Sequence, residues 1–315
     1  MKKDSFLSIV IPVYNEEGNI QLLTKGIEDA LTDYKYEIIF IDDYSTDKTR
    51  QDVKNMKNPS VVLIEMKKNY GQSSAMMAGI EYAHGDYVVT MDGDMQNDPS
   101  DIPMMMDVLQ EGDYDVVTGI RQKRQDSLFK TFPSKIANYI IKKTTKLNIK
   151  DHGCALKIFT KETADELNLY GELHRFIALM AHMNGARITE VKVKHHSRKF
   201  GVSKYGLGRT TKVINDLLLI LFQRKYLQKP IYLFGNVGIF FFVLGSIFSV
   251  YLLIVKLMGN DIGNRPLLIL SVLFILVGIQ LFTIGIVTDL LMKTYYESQN
   301  KRPYNIRKIT SIEKE

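Results

Sequence analysis

The chain has 315 residues, 45% of them hydrophobic, a single cysteine and a formal net charge of +6. One cysteine excludes an intrachain disulfide and a cysteine-only zinc site, and it fits a reducing cytoplasm. No nucleic-acid-binding motif accompanies the positive charge, so nucleic acid is not the partner it implies. The first apolar run, residues 7–13, is short and contains Pro12. It runs into Asn15-Glu16-Glu17 with no small-residue cleavage site, so it reads as a buried first strand rather than a signal peptide. The predicted strand over 6–11 ends at Pro12, which stops the ladder. Ile20, Leu23, Ile27 and Leu31 have helical spacing. A strand over 36–41 is stopped by Asp42-Asp43, and a helix over 46–56 and a strand over 61–65 follow. A small-residue helix over 73–83 leads to a strand over 87–91 that ends in Asp92-Gly93-Asp94. A helix over 102–111 and a strand over 115–118 complete the alternation. Alternation of this kind predicts an α/β fold with a mainly parallel sheet covered on both faces. Ligands of such sheets bind at the carboxyl ends of the strands, where Asp42, Asp43, Asp92 and Asp94 fall.

Residues 123–150 read as a basic helix and 186–196 as a loose strand. Residues 207–227 read as a helix with one apolar stripe of Ile214, Leu217, Leu218 and Leu221, suited to the membrane interface. Two runs without Asp, Glu, Lys or Arg then follow, 230–255 and 266–288. As helices they would be roughly 39 and 34 Å long, enough to cross a bilayer. Gly238 and Gly245, and Gly278 and Gly285, recur at heptad spacing and predict close helix contact. Arg224, Lys225 and Lys229 precede the first run, and Lys293, Lys301, Arg302, Arg307 and Lys308 follow the second. The intervening loop holds Lys256 and Arg265, partly offset by Asp261. This bias predicts a multi-pass protein of the inner (plasma) membrane with both ends in the cytoplasm. The alternative is a hairpin buried in a core. The expected organisation is a catalytic domain over 1–206, an interfacial helix over 207–229, a transmembrane hairpin over 230–292 and a cytoplasmic tail over 293–315. Two basic clusters, from Arg121 to Lys150 and from Lys192 to Lys229, suit anionic headgroups and a phosphorylated substrate.

Asp92 and Asp94 are two carboxylates two residues apart just beyond a strand, an arrangement that can hold Mg2+ or Mn2+ against a diphosphate. Gly93 would let the backbone approach the ligand, and Gln96 would add a neutral oxygen. The bland alternative is a solvated turn. At Asp42-Asp43 a carboxylate can accept from a base N–H or a ribose hydroxyl. Ser45, Thr46 or Asp47 can at the same time cap the next helix. Tyr14 can flank a base. His195 and His196 are adjacent on a strand and point to opposite faces, so they do not share an ion. Met104 to Met106 read as helix packing.

IVIPVYNEE, IDDYSTDKT and MDGDMQNDP together resemble the family 2 glycosyltransferases in order and spacing. The likeness continues through DHGCALK, GELHRFI and RKFGVSKYG, and with the apolar hairpin it covers nearly the whole chain. It looks like a polyprenyl-phosphate glycosyltransferase, akin to dolichyl-phosphate mannose synthases and bacterial undecaprenyl-phosphate sugar transferases. The resemblance implies a GT-A-type domain that takes a nucleotide-sugar donor and a polyprenyl-phosphate acceptor, with inversion at the sugar. It implies that Pro12, Tyr14, Glu16, Ile41 and Asp43 line the nucleotide, and that Asp92, Gly93, Asp94 and Gln96 surround the metal and diphosphate. Arg121, Arg198 and Lys204 would address phosphates, and Lys130, Ser134 and Lys135 the acceptor phosphate. Asp151 is the carboxylate implied near the reacting centre, as a base or as an orienting group. Arg175 would be a structural or donor-facing cation. The family often has Glu before Ser-Lys in the last motif, and this chain has Val202. A processive polysaccharide synthase is one alternative, but its Gln-x-x-Arg-Trp motif is absent from a chain without tryptophan. A non-catalytic membrane scaffold is another, and a homo-oligomer is left open.

Overall fold

The computed structural model describes residues 5–56, 58–121, 147, 149–197, 216, 219–222, 226 and 229–298. They fall into two compact units, 1–219 and 220–315.

In the first unit β1 (Phe6–Val13), α1 (Ile20–Ala30), β2 (Lys35–Asp42), α2 (Thr49–Lys54), β3 (Val61–Glu65), α3 (Gln72–Tyr82) and β4 (Tyr87–Thr90) follow one another. A 3-10 turn at Pro99–Asp101 leads into α4 (Ile102–Glu111), then β5 (Val116–Arg121), β6 (Lys157–Thr160) and α5 (Lys161–Asp165). The unit ends in a 3-10 turn at Leu173–Phe176, α6 (Ile177–Met183) and β7 (Ile188–Val193). The sheet has seven strands in the order β3-β2-β1-β4-β6-β5-β7. Only β6 runs against its neighbours; it lies antiparallel between β4 and β5, while β5 and β7 pair in parallel. The sheet is therefore mixed and mainly parallel, in agreement with the strand–helix alternation. Connections leave β1 towards β2 and β3 and then cross back to β4, so order reverses beside β1. In open α/β sheets ligands bind beside such a reversal, here at the carboxyl ends of β1 and β4.

The core sits on both faces of this sheet. Leu7, Ile9 and Ile11 of β1 are fully buried, as are Ile20, Leu23 and Ile27 of α1, whose three-and-four spacing turns one face inward. Each such side chain contributes about 1.5–3 kcal/mol on burial. Of the methionine run, Met105 and Met106 are fully buried and Met104 is exposed, which makes packing the role of the first two. Pro12 does not stop the ladder, contrary to the sequence reading, because β1 continues to Val13 and Pro12 stands opposite Ile41 of β2. The reason is alternation. Val10 O accepts from Met91 on the β4 side, and Val13 O accepts from Asp43 on the β2 side. The missing N–H of Pro12 therefore faces the β4 flank, where pairing has already ended at Val10.

In the second unit α7 (Ile231–Leu257) and α8 (Pro266–Ser298) form a hairpin. Both are long and apolar enough to cross a membrane. Large apolar side chains stand outward along both, among them Phe240, Ile247, Val250, Ile269 and Leu276. A hairpin buried in a protein core would cover these side chains. A Cβ on Gly278 would lie 2.7 Å from Gly238 O and 2.6 Å from Phe242 N. One on Gly245 would lie 2.8 Å from Ser271 O and from Ile275 N. The backbones meet at these glycines, as their spacing predicts.

Candidate active site

Three turns at the carboxyl ends of β1, β2 and β4 carry non-glycine residues in the left-handed region: Asn15 (φ 52°), Tyr44 (φ 69°) and Met95 (φ 62°). Such residues cost of order 1–3 kcal/mol each and persist where the surroundings over-determine them. Here side chains lace the first two turns together. Asn15 N donates to Ser45 Oγ (2.9 Å), and Asn15 Oδ1 accepts from Thr46 N (2.8 Å). Glu16 N donates to Thr49 Oγ1 (2.8 Å), and Glu17 N to Asp47 Oδ2 (3.1 Å). Asp47 Oδ1 also accepts from Thr49 N at the start of α2 (3.0 Å), while the N-cap position is Lys48, whose side chain makes no capping bond.

Asp43 is nearly buried, and both its oxygens accept backbone N–H groups, from Tyr70 (2.7 Å) and Gly71 (2.9 Å). Burial raises its pKa against these two hydrogen bonds. Exposed Tyr44 and Tyr70 flank it, with Lys68 Nζ 5.0 Å from the centre of the Tyr70 ring. Tyr14 is half-buried at the end of β1, and Glu16 is buried with its Oε2 accepting from Asn19 (2.8 Å). Pro12 and Ile41 are buried in the sheet. Ile41 packs beneath α3, where a Cβ on Gly79 would come within 2.5 Å of its Cδ1. Across α3, Ser73 Oγ hydrogen-bonds His174 Nδ1 (2.8 Å) and accepts from His174 N (3.1 Å), tying the GELHRFI segment to the helix behind Asp43. In that segment Arg175 lies 3.8 Å from Glu172.

Beyond β4, Asp92 Oδ1 accepts from Gln72 Nε2 (2.7 Å), and Asp94 Oδ1 accepts from Gln96 N (3.1 Å). Gln96 O accepts from His196 N (2.9 Å), and Asn97 bridges His195. Gly93 has a reason the sequence did not suggest. Its missing Cβ would lie 2.8 Å from Val13 Cγ1, so glycine is required by packing on β1 as well as by any ligand above. Among the described residues no three His, Cys, Asp or Glu side chains form a ready cation cage. The two carboxylates on one tight turn still fit Mg2+ or Mn2+, ions typically bound by one or two carboxylates with substrate phosphates completing the shell. The two histidines diverge as expected. His196 is exposed and pairs with Asp98 (3.0 Å), whose carboxyl is held down at about 2 despite its burial, first by that hydrogen bond. His195 turns inward, its Nδ1 buried and without a hydrogen-bond partner among the described residues, and burial lowers its pKa, helped by the Arg121 charge.

The DHGCALK segment forms the floor. Asp151 grips Arg121 through two hydrogen bonds, Nε (2.7 Å) and Nη2 (2.8 Å), and also accepts from Gly153 N (3.1 Å). Glu190 on β7 holds the backbone of Lys150 (2.8 Å) and Asp151 (3.1 Å) from below. His152 is buried with neither ring nitrogen hydrogen-bonded among the described residues, and burial lowers its pKa to about 4, so it is neutral near pH 7. Cys154 is fully buried and its thiol pKa is pushed up by that burial. Lys157 opens β6 at 2% exposure, with its ammonium donating to Cys154 O. Sequence reasoning passed over Lys157, Glu190 and Gln72. The one local signal was a lysine at the head of the apolar run Ile158-Phe159. The other expected phosphate-binding residues, Lys130, Ser134, Lys135, Arg198 and Lys204, lie outside the described residues.

Known proteins resemble this chain over nearly its whole length. Over 312 residues, 96% of this chain and 92% of the relative, it is 38% identical to dodecaprenyl-phosphate galacturonate synthase of Rhizobium johnstonii. Over 320 residues, 99% and 96% of the two chains, it is 33% identical to undecaprenyl-phosphate 4-deoxy-4-formamido-L-arabinose transferase of Proteus mirabilis. Among solved structures it resembles glucosyl-3-phosphoglycerate synthase of Mycobacterium tuberculosis in complex with Mn2+, uridine diphosphate and phosphoglyceric acid. That match has a TM-score of 0.57 and 15% identity, covers 70% of this chain and 78% of the other, and speaks to the fold. Residues 8–167, from β1 through the first turns after β6, match the profile of Glycosyl transferase family 2, and the chain belongs to that family.

Proposed function

We propose that this chain transfers a sugar from a nucleotide-sugar donor to the phosphate of a polyprenyl phosphate at the cytoplasmic membrane face. The anomeric centre is inverted and a nucleoside diphosphate is released. The observation that supports this reading is the full-length likeness to a dodecaprenyl-phosphate galacturonate synthase and an undecaprenyl-phosphate 4-deoxy-4-formamido-L-arabinose transferase, which extends over the apolar hairpin as well as the α/β unit. In one displacement, an oxygen of the acceptor phosphate forms the new bond to the sugar's anomeric carbon. The bond from that carbon to the donor diphosphate breaks, and its electron pair leaves with the nucleoside diphosphate. The acceptor is already anionic near neutral pH, so a general base is not required.

In this reading Asp92 and Asp94, with Gln96 beside them, hold Mg2+ or Mn2+, which when bound stabilises charge on the leaving diphosphate. Pro12, Tyr14, Glu16, Ile41 and Asp43 line the nucleotide, and Gly93 keeps the turn close to the sheet. Asp151 positions Arg121, since its carboxylate already grips that guanidinium. Arg121 then presents its charge towards the donor phosphates with Arg198 and Lys204, while Lys130, Ser134 and Lys135 receive the acceptor phosphate. The working parts divide as a catalytic domain over 1–206, an interfacial helix over 207–229, a membrane hairpin over 230–292 and a tail over 293–315.

The test incubates the purified full-length chain with undecaprenyl phosphate, Mg2+ or Mn2+, and a panel of sugar nucleotides. The panel includes donors of galacturonate and 4-deoxy-4-formamido-L-arabinose. The expected result is nucleoside diphosphate release that depends on the lipid, with sugar recovered in the organic phase. Anomeric coupling in the product's proton spectrum should be opposite to that of the donor. Release that proceeds equally well without lipid phosphate would refute the acceptor, and retained configuration would refute the single displacement.

A further inference from the structure

Gln280 is an amide at the middle of an apolar span. At the helical rise it stands about 21 Å from the Pro266 end of the span and about 18 Å from the Met292 end. In a bilayer that is the centre of the hydrocarbon. Its side chain is exposed. Hydroxyls in the two spans satisfy themselves, since Ser246, Thr283 and Thr288 each donate to the carbonyl four residues back. Gln280 carries two donors and an acceptor, and among the described residues its side chain makes no hydrogen bond. An amide in hydrocarbon without a partner is heavily penalised. The other amide of the spans, Asn236, is also exposed, but it lies about 8 Å from the start of α7, within reach of interfacial water. Depth therefore sets Gln280 apart.

Gln280 also faces away from α7. The residues of α8 that meet α7 include Ser271, Ile275, Gly278 and Phe282. Gln280 follows Gly278 by two residues, roughly 200° round the helix. On its side Leu276, Gln280, Thr283 and Val287 recur at four-three-four spacing, and all four are exposed. The apolar members of this stripe are at home in lipid, whereas Gln280 is not. We propose that a second copy of this chain packs its own α8 along this stripe, with the Gln280 amides of the two copies hydrogen-bonded to each other. Copies that insert alike carry Gln280 at one depth, so no other partner has to be matched to the centre of the bilayer. An amide is both donor and acceptor, and so complements itself across a two-fold axis. The four-three spacing is that of parallel helices packed knobs into holes, where a single polar residue fixes the register. Because the stripe lies opposite α7, this pairing leaves the hairpin contact intact. The proposal rests on the reading of the hairpin as membrane-spanning.

The test reads energy transfer between full-length copies in vesicles of phosphatidylethanolamine and phosphatidylglycerol, over a range of protein-to-lipid ratios. The copies carry dyes at Ser311→Cys in a Cys154→Ala background. Copies with Gln280 should associate, and Gln280→Leu should raise the protein density needed for half-association roughly 3- to 20-fold. Gln280→Asn, which keeps an amide, should stay close to the parent, and Asn236→Leu should not change it. With Gln280 in place and no dye, Leu276→Cys in the same background should cross-link two copies on oxidation. Ile286→Cys, exposed on another side of α8, should not. Energy transfer no higher than random collision, undiminished association of Gln280→Leu, an equal loss from Asn236→Leu, or equal cross-linking from the two cysteines would each overturn the proposal. Alkaline carbonate extraction of the same vesicles separates the two levels. A protein released by carbonate has no spanning hairpin, and the pairing falls together with that reading. A protein retained in the vesicles but monomeric leaves the span standing, and only the pairing falls.

Discussion

Asp43, proposed above to line the nucleotide, also holds the scaffold of its own turn. Its two oxygens accept the N–H groups of Tyr70 and Gly71, the residues that launch α3. An amide keeps one acceptor oxygen and replaces the other with a donor that faces an N–H. Asp43→Asn should therefore cost about 1–3 kcal/mol of stability, the usual penalty for a buried group left unmatched. It should also raise the Michaelis constant for the donor on the order of tenfold, through the displaced Tyr70 and Tyr44, with a smaller effect on turnover. Thermal melting and steady-state kinetics on one preparation check both parts, and a normal Michaelis constant in a destabilised protein would reduce Asp43 to scaffold. At this scale the sequence was readable where chemistry is dense and local: Asp43, Asp92 and Asp94 each sit beyond an apolar strand. It was silent on partners distant along the chain. Glu190 meets Asp151 across 39 residues, and Ser73 meets His174 across 101. No periodicity encodes either pairing.

Elements repeat the contrast. The parallel strands β1 to β4 were readable because each is an apolar run closed by a turn signal. Strand β6 was not, since it is four residues long, begins with a buried lysine and leads directly into α5. In the hairpin, the heptad glycines marked a contact face, but the register between helices came only with the structure, which sets Gly278 against Gly238 and Gly245 against Ser271. Backbone atoms rather than flexible side chain ends occupy the space beside Gly278, so added bulk cannot be absorbed by a rotamer change. Gly278→Val should push α7 and α8 apart and destabilise the hairpin by about 1–3 kcal/mol or more. Gly263→Ala, where the nearest atom is an Asp261 carboxylate oxygen at 3.4 Å, should be benign. Protease resistance of the hairpin in detergent, followed with temperature, distinguishes the two. Equal resistance would mean that the helices do not rely on close backbone contact.

For the whole molecule, the division into an α/β unit and an apolar hairpin was plain from composition, because charge vanishes over both spans. Orientation is a matter of flanking charge. The basic residues before α7 and after α8 predict that both ends of the hairpin stay on the cytoplasmic side, with the 259–264 loop outside. Single cysteines at Asn260 and Ser311 in a Cys154→Ala background should label from opposite sides of sealed vesicles. The background is mild because Cys154 is buried and free. Labelling of both positions from one side would overturn the arrangement. The place of β6 in the sheet also sets an order in time. β4 lacks its second neighbour, and β5 cannot join the sheet, until Lys157–Thr160 has been made. At about 5–20 residues per second the ribosome needs a few seconds to travel from the end of β5 to β6. During that interval the nascent chain presents an open strand edge beside the finished half of the sheet, the condition in which mispairing is most favoured. The floor of the site closes only when β7 follows, shortly before the first apolar span emerges. A slow codon run between β5 and β6 would prolong the open edge.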